Sequence, residues 1–171
     1  MPKEVKIQTP RQYLKDAAIW SAGINLVLNL LAGWLFYMKT AALPLQGKGS
    51  VNDDAAVMTF LIVFFSLLLA VPGIKKLIKN GQLIKMEGVK PLPQPFRWLL
   101  SSGLVLSLLL AFASVYAFVP LTIGLLKLLG PDPLPLIPFL VFKALYAALL
   151  AGTIIPLVDW LVIRNESGKA A

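Results

Sequence analysis

Residues 17–38 read AAIWSAGINLVLNLLAGWLFYM, 22 positions without a charged side chain. At about 1.5 Å per residue, one helix of that length crosses a hydrocarbon core of about 30 Å. Within it Ser21, Asn25, Asn29 and Gly33 recur at every fourth position, a spacing that draws a slowly drifting stripe on one helix face. Unpartnered amides are costly in hydrocarbon, so this stripe is expected to face other helices or a polar cavity.

The rest of the 171-residue chain repeats the pattern. Further apolar runs fall at about 55–74, 98–119 and 137–163, and the mean hydropathy is +0.79 with 58% hydrophobic residues. The expected fold is therefore an all-α integral membrane protein of four transmembrane helices. Residues 1–16 form a basic N-terminal segment, and 164–171 form a polar tail expected to fray.

Local signals set the helix ends. Thr9, Pro10 and Gln12 make a capping box with proline in the first turn, so the first helix is expected to begin near Pro10. The run of 22 apolar residues exceeds a secretory h-region, and Lys39 separates it from Thr40, Ala41 and Ala42, so the first helix is expected to stay in the mature protein. Asn52, Asp53 and Asp54 can cap the second span and complement its dipole. Prolines 72 and 156 are expected to kink spans two and four, and Pro120 to kink or break span three. The segment 82–95, with Pro91, Pro93 and Pro95, reads as a connector, and Trp98 as the start of the third span.

Twelve of the sixteen Lys and Arg residues fall on the side of the termini and of the connector between spans two and three. The positive-inside rule then places both termini in the cytoplasm, with the protein in the cell membrane. Spans two and four share an ending, a proline followed three residues later by a charge (Pro72 and Lys75, Pro156 and Asp159), which suggests two parallel helical hairpins.

Polar residues within the spans are the site candidates: Ser21, Asn25, Asn29 and Asp159. Asp159 is expected to pair with Lys75 or Lys76, which also follow a span-ending proline. Lys143, six residues into the last span, reads as a lysine snorkelling to the interface. Gly33, Gly103, Ser107, Ala111, Ala144, Ala148 and Gly152 are small residues at helical spacing and are expected to pack helices closely. The chain has no Cys and no His, which removes thiolate, imidazole and the usual zinc chemistry, and no metal or cofactor is expected. The net charge of +8 lies between hydrophobic segments, which points to anionic headgroups at the cytoplasmic face and away from nucleic acid.

INLVLNLLAGW, a short Pro/Gly loop, a capping acid, a second span and PGIKKLIKNG together resemble small uncharacterised bacterial four-span membrane proteins, some labelled permease-like. The resemblance covers residues 18–81 and rests on Asn25, Asn29, Trp34, Asp54, Pro72 and the lysines after it. It implies the four-span architecture and no established activity, so no catalytic residue is carried over.

Three functions remain open at this point. The first is a small accessory or scaffold protein that binds lipid or a larger membrane partner. The second is an oligomeric, permease-like transport unit with Asn25, Asn29 and Asp159 along its path. The third is a membrane enzyme using Asp159, the least supported because a lone carboxylate lacks companions, so no enzyme is expected.

Overall fold

The computed structural model describes residues 7–90 and 92–168, with the side chains of positions 99 and 101 outside that description. Four helices are long and apolar enough to span a membrane: α1 (Pro10–Tyr37), α2 (Val51–Lys79), α4 (Gly103–Leu129) and α5 (Leu136–Gly168). A short helix α3 (Gln94–Ser101) precedes α4, and two-residue strands β1 (Ala42–Leu43) and β2 (Leu134–Pro135) pair antiparallel at the end of the bundle opposite the termini. The chain is a multi-pass, all-helical membrane protein.

The start of α1 follows its local chemistry. Thr9 Oγ1 accepts from the Gln12 backbone N–H at 3.3 Å, and Gln12 Oε1 accepts from the Thr9 backbone N–H at 3.2 Å, completing the capping box. At α2 the cap is Ser50, whose hydroxyl accepts from the Asp53 N–H at 3.3 Å; Asp53 instead accepts from the Gly49 N–H at 2.9 Å. This corrects the expectation that residues 52–54 cap the helix. Asp54 is thereby left for another partner.

Packing follows a row rather than a closed ring. α1 packs on α5, α5 on α2, and α2 on α4, whereas α1 and α2 do not pack along their lengths. The paired residues set directions: Asp54 meets Lys143 and Thr59 meets Tyr146, so α2 and α5 run parallel. Each hairpin thus places its first helix on the second helix of the other. Buried Val63, Leu67, Ile74, Val158 and Val162 fill the core towards the termini, and Leu43, Val51, Phe139 and Leu140 fill it at the opposite, loop end.

Glycine explains the closest approaches. A Cβ on Gly33 would lie 2.8 Å from Leu140 Cδ2 and 3.0 Å from Lys143 Cδ, and one on Gly152 would lie 3.1 Å from Ala22 Cβ. These two glycines let α1 seat on α5, with Ala148 and Ala144 buried one and two turns along the Gly152 face. Ser107 and Ala111 are fully buried on α4. Gly103 departs from the expected packing stripe. It opens α4 after Ser102, and a Cβ there would meet nothing within 4 Å.

Other boundaries also moved. Trp98 lies on α3, whose Phe96 and Trp98 are exposed while Leu100 is buried, an arrangement suited to lying along an interface. Pro72, Pro120 and Pro156 sit inside helices that continue past them, so Pro120 does not break its span. The tail expected to fray is helical through Gly168, with residues 169–171 outside the described ones: Ser167 is buried, its hydroxyl bonded to the Ile163 carbonyl at 2.8 Å and to the Met86 N–H at 2.9 Å. The connector that delivers Met86 also adds a parallel bridge between Gln8 and Leu83, so it is folded over the ends of α1 and α5.

Candidate functional site

Because α1 and α2 both stand on α5 without packing on each other, a groove runs between them with α5 as its floor. It has two compartments, of about 570 Å³ towards the loop end and about 680 Å³ towards the termini, which share Ser66 and Leu69. Each falls within the range of small-molecule sites, about 300–1,000 Å³. The walls are bulky and apolar, among them Leu28 and Phe36 from α1 and Leu61, Phe65 and Leu69 from α2.

Charged groups mark both ends. At the loop end Lys143 Nζ donates to Asp54 Oδ1 at 2.6 Å and Oδ2 at 2.5 Å, with side-chain exposures of only 7% and 12%. Tyr37 Oη donates to the same Asp54 Oδ1 at 3.1 Å, and the Tyr37 ring meets Phe139 edge-on at 5.1 Å. The cluster ties α1, α2 and α5 together where each enters the loop end. Lys143 is therefore no snorkelling lysine, because its ammonium ends on a buried carboxylate.

Reading Lys143 as a lysine reaching the interface missed this pair, and Asp159, the other charge inside the same span, is too distant to serve as its partner. Those two residues are 16 positions apart on α5, about 24 Å along one helix. The available signal was that the antiparallel topology returns Asp54 and Lys143 to the same end, each about a turn or two inside its helix.

Midway, the asparagine stripe borders the groove. Asn25 Nδ2 donates to the Ser21 carbonyl and Asn29 Nδ2 to the Asn25 carbonyl, both at 2.9 Å within α1. Neither amide bonds to another helix among the described residues. Of the stripe, Ser21 crosses to α5, donating to the Ala151 carbonyl at 3.2 Å, and Gly33 provides the close contact. Both asparagines are part-buried and line the loop-end compartment.

At the terminal end Asp159 is 2% exposed, and its Oδ1 is enclosed without a hydrogen-bond partner. The expected pair with Lys75 or Lys76 does not form, even though α2 and α5 are neighbours. The α2–α5 contacts pair residues 87 to 89 positions apart, which sets Asp159 level with about Val71. Lys75 then lies about one turn, about 6 Å, further towards the helix ends. Lys76 is exposed and shares the terminal compartment with Asp159, Tyr13, Asn80 and Gln82.

The terminal compartment sets one buried carboxylate, Asp159, beside apolar walls. Asp159 has no acid, base or nucleophile bonded to it, and among the described residues no three Asp or Glu side chains gather into a metal-like cluster. The groove instead offers apolar length with polar groups at set depths. Comparison of the chain with protein-family models, curated proteins and solved structures finds no match.

Proposed function

We propose that this is a small accessory membrane protein that holds a phospholipid in the side-open groove between α1 and α2, with both termini in the cytoplasm. The observation that supports the reading is the separation of α1 and α2 on α5, which leaves apolar walls facing the bilayer and polar groups at both ends. An acyl chain can lie along Leu28, Leu61, Phe65 and Leu69. The phosphate then comes to rest near Lys76, on the side where the positive-inside rule places the cytoplasm.

A partner helix fits these walls less well. Helices associate in membranes through small residues that let backbones approach, whereas Leu61, Phe65 and Leu69 present bulk. Small residues are already used where α1 meets α5.

The test is native mass spectrometry of the full chain released from lipid nanodiscs. Wild type is expected to carry a phospholipid-mass adduct. Ser66→Trp, which places an indole where the two compartments join, is expected to lose it while keeping its helical content. A bare wild-type protein, or equal retention by the variant, would contradict the reading.

One observation favours the second reading, an oligomeric transport unit: polar groups lie at both ends of the groove, separated by about 24 Å of helix. A second copy would be needed to close the open side. The same spectra decide this, since a homo-oligomer is required by transport and a monomer argues against it.

A further inference from the structure

We infer that Asp159 and Lys76 form a headgroup site selective for phospholipids bearing a primary amine, an inference that rests on the lipid-binding reading above. Asp159 supplies a nearly fully buried carboxylate in the wall of the terminal compartment, and its Oδ1 has no hydrogen-bond partner. Neither Lys75, Lys76 nor Arg164 forms a salt bridge with it. A buried carboxylate without a cation is costly, and an ammonium with N–H donors satisfies both its charge and its lone pairs.

The same compartment holds the complementary charge at a different depth. Lys76 is exposed at the terminal rim, about one turn beyond Asp159, where a phosphate in the headgroup layer would meet it. Ammonium inside and phosphate outside is the charge order of a folded-back ethanolamine headgroup. A choline headgroup has the charge but no N–H to donate, and a glycerol headgroup has hydroxyls but no cation. Asn80 and Gln82 lie beside Lys76 and add amide groups to the rim.

The experiment offers the full chain an equimolar mixture of phosphatidylethanolamine, phosphatidylcholine and phosphatidylglycerol in nanodiscs and reads the retained lipid by native mass spectrometry. Wild type is expected to enrich phosphatidylethanolamine about tenfold over the other two, the scale of one hydrogen-bonded charge pair. Asp159→Asn keeps the shape of the side chain and is expected to abolish the preference while still retaining lipid. Lys76→Gln, at an exposed position, is expected to lower retention of all three. Free ethanolamine at the same concentration is expected to displace nothing.

Equal retention of the three lipids by wild type, or an unchanged preference in Asp159→Asn, would overturn this inference and leave the lipid-binding reading standing. Displacement by free ethanolamine would also overturn it, assigning the carboxylate to a soluble amine. Retention of no lipid at all would instead remove the reading on which it rests.

Discussion

The Lys143 ammonium lies within hydrogen-bond reach of both Asp54 carboxylate oxygens, at 2.6 and 2.5 Å, and so joins α5 to α2 inside the loop end of the bundle. Tyr37 reaches the same carboxylate from α1. Lys143→Met alone would leave Asp54 buried without its cation and is expected to destabilise the fold by about 3–5 kcal/mol. Adding Asp54→Leu removes the stranded charge and is expected to recover most of that loss. Thermal unfolding followed by tryptophan fluorescence in micelles, run as a double-mutant cycle, reads the coupling.

Close packing of α1 on α5 gives a second expectation. Gly33→Val would force Leu140 and Lys143 aside, since even a Cβ meets them at 2.8 and 3.0 Å, and should cost about 1–3 kcal/mol. Gly103→Ala is the control. It has open space and a helical position, so it should be neutral or stabilise by up to about 1 kcal/mol.

The four spans were legible because periodicity was not needed to find them: length and hydropathy sufficed, and the Thr9 capping box announced where α1 begins. The neighbours of each helix were not legible. Hydrocarbon gives no preferred apolar face, so nothing in residues 17–38 says that α5 is the helix on which α1 packs along its length. The glycines show the same limit. Gly33, Gly103 and Gly152 look alike in sequence, yet two are contact points and one opens a helix. Lys143 and Asp159 were visible as intramembrane charges, but their partnerships depend on the α2–α5 register, which only packing sets.

Asn25 and Asn29 bond back to their own helix, which separates their roles from those of packing residues. The double substitution Asn25→Leu, Asn29→Leu is expected to leave the unfolding transition within about 1 kcal/mol of wild type, because no interhelical bond is lost. Its effect should appear instead in lipid retention, since both amides line the loop-end compartment.

Thr59 and Tyr146 provide a defined polar contact across α2 and α5, with their hydroxyls 2.8 Å apart. Thr59→Val is expected to destabilise by about 0.6 kcal/mol and by no more than about 1.7, the average and the largest value for such bonds in membranes. Tyr146→Phe in the same background should then add little. Additive losses in the unfolding midpoints would show that the two hydroxyls do not act as a pair.

Lipid occupancy of the groove is tested most directly with a phospholipid carrying a diazirine along one acyl chain, irradiated in vesicles containing the protein and mapped by peptide mass spectrometry. Exposure alone would favour Tyr116 and Leu128 on α4, which are 79% and 82% exposed, over Leu61 and Phe65 in the groove at 44% and 50%. Occupancy of the groove predicts the reverse order, with adducts concentrated at Leu61, Phe65 and Leu69 and lost in Ser66→Trp. Labelling that follows exposure, with α4 ahead of the groove and no change in the variant, would contradict it.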